Sequence, residues 1–193
     1  MLKLSNVLVA VALLAGVPAA SAQTMNMPAS TTASSAGPSP AEIAKSAAVP
    51  TTAAFVDTAA RANQFEIVTS QVALEKSKNK KVLAFAKKMV KDHTKIGKNF
   101  GAAFGKANTG LTLPTGLGDD FDKTLARLKS EDGATFDADY IAVQTKGHQD
   151  AVGLFAGYAK GGDNPTLKAF AKKTLPIIEM HLKMCYDLAK LKL

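Results

Sequence analysis

A spacing of alternately three and four residues between inward-facing side chains recurs along four stretches of this sequence, and it constrains the fold more than any other feature. The stretch around residue 90 shows it most cleanly, in Val82, Ala86, Met89, His93, Ile96 and Phe100. The last stretch repeats it, in Leu167, Phe170, Thr174, Ile177, His181, Met184 and Leu188. Such spacing places one stripe of a helix against neighbouring helices. The pattern therefore predicts an all-α fold built from long amphipathic helices.

Two further stretches carry the same stripe, one with Phe55, Ala59, Ala62, Glu66, Thr69 and Ala73, the other with Ile141, Gln144, His148, Ala151 and Phe155. The pentapeptide Ala-Phe-Ala-Lys-Lys occurs at residues 84–88 and again at residues 169–173. Two similar helical hairpins joined by a long connection are typical of ferritin-like bundles. We therefore predict a ferritin-like up-and-down four-helix bundle, with a short extra helix between residues 119 and 131 in the long central connection.

The first 22 residues have the pattern of an export signal. Lys3 supplies a positive start, an apolar run follows from Val7 to Val17, and Ala20-Ser21-Ala22 has the form of a cleavage site. We expect cleavage after Ala22 and a mature protein that is periplasmic or secreted. Because no later segment is apolar for long enough to span a bilayer, we expect no transmembrane segment after cleavage.

Two regions follow the predicted signal peptide. Residues 23–49 are rich in Ser, Thr, Ala and Pro and have few bulky apolar side chains, so they predict a flexible linker. Residues 50–193 have the length of one ordinary domain and predict the four-helix bundle itself. Cys185 is the only cysteine in the chain, which excludes an internal disulfide.

Four side chains suited to metal binding fall one to each predicted long helix, and all four lie on the inward stripe: Glu66, His93, His148 and His181. At a rise of ~1.5 Å per residue, they also lie at similar depths in the bundle. Bundle proteins build metal and cofactor sites from inward side chains of facing helices. We therefore predict that the four side chains converge in the core.

Three imidazoles and one carboxylate suit a single divalent transition metal, with Zn, Fe, Cu and Ni as candidates. A carboxylate-bridged di-iron site would need Glu-x-x-His on two helices. Val90 and Ile178 occupy the required glutamate positions ahead of His93 and His181, so the sequence does not predict ferroxidase or oxygenase chemistry.

Neighbouring residues leave two interpretations of the four side chains open. Asp92 and Tyr140 are candidates for fixing the orientation of the imidazoles around a metal. Alternatively, Glu66 and the histidines form a buried hydrogen-bond network without a metal, because a buried carboxylate needs a donor and histidine can supply one.

The chain carries a formal net charge of +8, and loss of the predicted signal removes only the charge of Lys3. An excess of positive charge favours anionic partners, here the phospholipid or lipopolysaccharide head groups of a cell envelope. Nucleic acid is not an expected partner of an exported chain. The lysine pairs at residues 87–88 and 172–173 lie along predicted helices, which is typical of solvated faces. Oligomeric state is left open.

An ordered set of short motifs resembles a known family. The motifs are Phe55-Val56, Glu66, the run from Phe85 to Val90 with Asp92-His93, Phe136-Asp137-x-x-Tyr140, His148, and Leu175-Pro176 ahead of His181. Together they resemble the exported bacterial ferritin-like family catalogued as domain of unknown function 4142, over nearly all of residues 51–191. The resemblance implies a ferritin-like bundle in the bacterial envelope and brings no established activity with it.

The sequence thus predicts an exported, non-enzymatic helical bundle that binds a metal ion or small ligand in its core, with an envelope stress role as one possibility. One alternative is a mononuclear metalloenzyme that uses the same four residues. Another is a basic adaptor held at an anionic envelope surface, with no core site.

Overall fold

A computed structural model describes residues 37–191, which form six α-helices. Their bounds are α1 Pro40–Ser46, α2 Thr52–Lys76, α3 Lys80–Ala107, α4 Asp119–Ser130, α5 Gly133–Gly161 and α6 Pro165–Ala189. The described residues contain no strand, and the predicted all-α class is confirmed. The predicted signal peptide and residues 23–36 of the predicted linker lie outside the described residues. Among the described helices, none combines the length and the apolarity that crossing a membrane requires.

The four long helices form a bundle of two hairpins, α2 with α3 and α5 with α6. The hairpins join where α2 packs on α5 and α3 packs on α6. Phe55 near the start of α2 contacts Phe100 of α3 and stacks on Tyr158 near the end of α5. Asn164, which caps α6, donates a hydrogen bond to the carbonyl of Ala107 at the end of α3. Every neighbouring pair of long helices is therefore antiparallel.

The connection between α3 and α5 carries the chain back along the bundle. Arg61 donates hydrogen bonds to the carbonyls of Thr115 and Gly116, and Lys76 donates one to the carbonyl of Glu131. Helix α4, the predicted short extra helix, therefore runs beside α2 in the same direction. As a result α3 and α5 also run in one direction, and the four long helices run up, down, down and up. A single long crossover of this kind is the connectivity of ferritin-like bundles.

The prediction of a flexible linker over residues 23–49 is wrong for its helical part, α1. Ser39 caps α1 by accepting a hydrogen bond from the Glu42 backbone, and the Glu42 carboxylate accepts one from the Ser39 backbone. Ile43 packs against the apolar core between α5 and α6. Composition alone suggested disorder, but this reciprocal cap and the packing of Ile43 stabilise a two-turn helix against the bundle.

The segment after α1 lies directly on α5. A Cβ atom at Gly157 would stand 1.8 Å from the backbone oxygen of Ala48, far closer than atoms can approach. Val49 lies in the same way over Gly161. The backbone at Ala48 and the side chain of Val49 can lie this close to α5 because α5 carries no side chain at these two positions.

The core consists of two apolar clusters with a polar layer between them. The cluster at the end where α2 begins includes Phe55, Phe100, Phe155 and Phe170. The cluster at the opposite end includes Phe85, Met89, Phe136 and Tyr140. The layer between them contains the buried polar residues Glu66, Thr69, Ser70, His93, Gln144, His148 and His181. Burying so many polar groups together is costly unless they are paired or bind something.

Candidate metal centre

Three histidines meet at the centre of the polar layer, His93 from α3, His148 from α5 and His181 from α6. One ring nitrogen from each lies within 4.8 Å of the others, and all three side chains are buried. The ring centroids are 5.3 to 5.7 Å apart. We refer to these three residues as the histidine triad.

Each histidine of the triad has one ring nitrogen held by an acceptor on the outside. His93 Nδ1 lies 3.1 Å from Asn63 Oδ1, His148 Nδ1 lies 2.8 Å from the carbonyl of Gln144, and His181 Nε2 lies 2.9 Å from Asp92 Oδ2. A carbonyl or carboxylate oxygen only accepts, so the outer nitrogen of each ring carries the proton. The acceptors thereby fix both the tautomer and the orientation of the three rings.

The other nitrogen of each ring has no partner. These atoms are His93 Nε2, His148 Nε2 and His181 Nδ1, and each is buried without a hydrogen bond. Given the tautomers above, all three carry a lone pair. Metal-bound imidazole nitrogens lie ~2.0–2.1 Å from zinc, which puts two such nitrogens about 3.4 Å apart in tetrahedral geometry. One ring nitrogen of each histidine lies within 4.8 Å of the others, so the rings would draw closer together to hold a metal.

Burial keeps the triad neutral. It is the largest cause of the lowered pKa of all three histidines and takes the pKa of His148 to about 3. The other histidines add to this effect at His93, whose pKa lies well below its ordinary value, whereas Asp92 partly offsets it at His181. Neutral imidazole is the form that binds a metal ion.

Glu66 lies beside the triad and is not part of it. Its Oε1 is 3.9 Å from His148 Nδ1, the outer nitrogen of that ring, and its Oε2 is buried without a partner. Burial raises the pKa of Glu66 to about 8, with a partial offset from the Gln144 side chain. A Cβ atom at Gly147 would stand 2.9 Å from Glu66 Oε1, so the absence of a side chain there makes room for the carboxyl group. The four predicted residues are thus brought into one layer, with three converging and one adjacent.

The orienting residues were partly foreseen from the sequence. Asp92 contacts His181 as predicted and also pairs with Lys88 at 2.9 Å. Tyr140 does not contact a histidine, because its hydroxyl bonds to Ser70 instead. Asn63 was missed, and its only signal is a position one turn before Glu66 on the same helix. Gln144 stood in the predicted stripe, yet its contribution is a backbone carbonyl, which no side-chain pattern reveals.

The sequence was compared with models of known protein families, and one of them matches. The model of one protein family, described as a domain of unknown function (DUF4142), matches residues 37–188. The chain belongs to this family. The match spans α1 to nearly the end of α6, and with it Glu66 and the whole triad. No curated protein and no solved structure matches the chain.

Membership of the DUF4142 family confirms the resemblance that the ordered motifs indicated. The matched region begins at residue 37 and so includes α1, which the sequence had assigned to a linker. The family description names no activity. Kinship with ferritins and export to the envelope both stay predictions.

Proposed function

We propose that the histidine triad binds a single divalent transition metal, with Zn, Fe, Cu and Ni as candidates. The observation that carries the proposal is the convergence of three buried histidines, in which each ring has one nitrogen held by an acceptor and one buried nitrogen without a partner. Imidazole nitrogen is a good ligand for all four metals. An outer acceptor on each metal-binding histidine is also the usual arrangement in proteins.

A hydrogen-bond network without a metal fits this geometry less well. Three buried nitrogens without a partner require three donors, whereas one water molecule has only two protons to give. A buried acceptor left without a donor costs roughly 1–3 kcal/mol, and the layer would contain several. A cation satisfies all three nitrogens at once.

Glu66 is the proposed fourth ligand of the same site. The side chain is buried and one carboxyl oxygen has no partner, so it can turn toward a metal without breaking a hydrogen bond of that oxygen. Loss of its proton would accompany binding, because a metal ligand must be deprotonated. We propose that the protein is exported and binds the metal without catalysing a reaction. The alternative is a mononuclear metalloenzyme that uses the same four residues.

Metal analysis of the purified full chain tests this proposal. We expect one metal ion per chain after reconstitution, loss of that ion in the variants His93→Gln, His148→Gln and His181→Gln, and retention in the control Gln149→Ala. We also expect a chelator to lower the melting temperature of the native protein and leave His93→Ala unchanged, because a ligand selective for the folded state stabilises it. Substoichiometric metal in the native protein, or full binding in His148→Gln, would contradict the proposal.

A second candidate function is docking at an anionic envelope surface, and one surface feature favours it. A groove of about 750 Å³ lies between α3 and α6, with Lys88, Lys95, Lys106 and Lys173 among its lining residues. Among the described ion pairs of the chain, only Lys88 of these four takes part, with Asp92. The floor includes Met180, which is 38% exposed. Lysines around an apolar floor suit a surface of anionic lipid.

A further inference from the structure

A small cavity adjoins the histidine triad. Its volume is about 30 Å³, and its walls include His93 and His148 together with Glu66 and Asn63. The remaining lining is apolar or small, from Ala59, Ala62, Ile96, Gly147, Ala151, Phe155 and Ile178. The cavity therefore touches the metal site proposed above on one side and apolar core on the others.

The lining residues show on which side of the triad the cavity lies. Ile96 and Ala151 each follow the histidine of their own helix by three residues, and Ile178 precedes His181 by three. Because α6 is antiparallel to α3 and α5, all three displacements point toward the end of the bundle where α2 begins. Ala62 of α2 lies at the same level. The cavity is thus stacked about one helical turn above the triad, along the bundle axis.

Small side chains keep this space open. Holding one water molecule requires roughly 10–15 Å³ of such volume. A cavity of about 30 Å³ therefore has room for a ligand of two or three small atoms. Larger side chains at Ala62 or Ala151 would fill it. With the triad and Glu66 as its protein ligands, the metal would take an outside ligand from this cavity as a fifth one, an expansion that zinc sites undergo.

We propose that the metal of the histidine triad carries one exchangeable ligand in this cavity, of the size of water, hydroxide or a linear three-atom anion, and that Ala62 and Ala151 set the size limit. This inference rests on the proposed metal site. It adds that the site is open to small ligands and closed to larger ones, with Asn63 as the polar wall of the cavity beside the metal ligand Glu66.

Cobalt(II) bound to the full-length protein reports on both proposals separately, because its visible absorption changes with coordination. The first measurement is the spectrum on adding cobalt alone, and the second is its response to azide and to benzoate. We expect a saturable azide response and no benzoate response over the same concentration range. A missing cobalt spectrum would overturn the metal site and this inference together. A cobalt spectrum that azide leaves unchanged, or that azide and benzoate change alike, would overturn this inference alone.

Two cavity variants and one control locate the ligand. Ala151→Val and Ala62→Val add two carbon atoms inside the cavity, whereas Ala142→Val adds them at an exposed position of α5. We expect at least tenfold weaker azide binding in the cavity variants, with the cobalt spectrum retained, and no change in the control. Azide binding as tight in both cavity variants as in the native protein would overturn the assignment. If one cavity variant does not fold, the other and the size test on the native protein still decide.

Discussion

Each histidine of the triad uses its two ring nitrogens for different purposes. The outer nitrogen donates to a fixed oxygen, and the inner one is left with a lone pair in the centre of the layer. The acceptors differ in strength, since Asp92 offers a carboxylate while Asn63 and Gln144 offer neutral oxygens. A carboxylate acceptor makes the ring a stronger ligand. His181 is therefore the strongest donor that the triad offers to a metal.

Replacing Asp92 with asparagine tests this role. An asparagine amide can donate to His181 Nε2, which would move the ring proton to the inner nitrogen and remove its lone pair. We expect Asp92→Asn to weaken metal binding roughly 10–100-fold, the range typical for such outer partners. Competition with a coloured chelator measures the affinity. Asp187→Asn, which removes an exposed carboxylate near the end of α6, is the matched control and should bind as the native protein does. Equal affinities of the two variants would rule out the orienting role.

The metal-free protein should be most stable near pH 6.5. The folded state lowers the pKa of all three histidines, that of His148 to about 3, so below the ordinary histidine pKa of about 6.5 the unfolded chain takes up protons that the folded chain does not. Stability therefore falls as the pH decreases below 6.5. Glu66 acts in the opposite sense. Its pKa rises from 4.5 to about 8, so it contributes stability at low pH that is lost as the pH rises toward 8.

Between pH 4.5 and 6.5 three histidines oppose one glutamate, and the histidines dominate. Between pH 6.5 and 8 Glu66 lowers the stability as the pH rises, and near pH 9 the buried Cys185 adds to the decline, because burial raises the pKa of its thiol. Asp92, with its lowered pKa, titrates below this window. Thermal unfolding of chelator-treated protein from pH 4.5 to 9 measures the profile. Glu66→Gln should abolish the decline between pH 6.5 and 8 and retain the decline on the acid side. A profile with no maximum in this range would contradict the neutral, buried triad.

At the scale of helices, α5 is the helix that contacts the most other helices. It contributes His148 and the Gln144 carbonyl to the centre, packs on α2 and α6, and carries the segment of residues 37–50 on its outer side. The glycines of α5 divide between these surfaces. Gly147 makes room for Glu66 inside, whereas Gly157 and Gly161 admit the chain outside.

Substituting two glycines should give opposite changes in the free energy of unfolding. Gly157→Ala places a methyl group against the backbone of Ala48, and we expect a loss of about 1–3 kcal/mol, as for other overpacked sites. Gly101→Ala is the control, because a Cβ atom at Gly101 on α3 meets nothing within 4 Å. That variant should gain about 0.5–1 kcal/mol from the better helix propensity of alanine. Urea unfolding measures both, and a gain in Gly157→Ala would show that residues 47–50 do not rest on α5.

The stripe of three- and four-residue steps was sufficient to predict the long helices and the inward position of the histidines. It could not predict α1, whose stability comes from a cap and from a surface formed by distant residues. Nor could it separate Glu66 from the triad, because a stripe shows which face of a helix a side chain is on but not which neighbour its end group contacts. Gly147 and the turn of the Glu66 carboxyl toward α5 decide that separation, and both are tertiary contacts.

At the scale of the whole molecule, the lysine-lined groove between α3 and α6 is the feature that concerns the surroundings of the protein. Lys95 and Lys173 lie on opposite walls of this groove, one on each helix. Their charges would act together on an anionic surface that covers the groove.

We expect binding to vesicles that contain anionic phospholipid, weakening as salt is raised because surface charges are screened. The double variant Lys95→Gln with Lys173→Gln should bind severalfold more weakly. The control is Lys87→Gln with Lys172→Gln, which removes the same charge from exposed positions outside the groove. Co-sedimentation with vesicles measures both. Equal losses in the two double variants would show that net charge, and not the groove, is responsible.

The histidine triad draws its members from both hairpins, His93 from the first and His148 and His181 from the second. A metal bound there would act as a clip between two halves that the chain joins only through the long crossover. Bringing the two hairpins together closes this long loop, which costs conformational entropy. A metal bound to both hairpins would offset that cost by holding them together. Without the metal, only side-chain packing and hydrogen bonds join the two hairpins in the bundle. With it, opening one hairpin requires releasing the other, so the amide protons of α3 and α6 would exchange with solvent as a single cooperative unit.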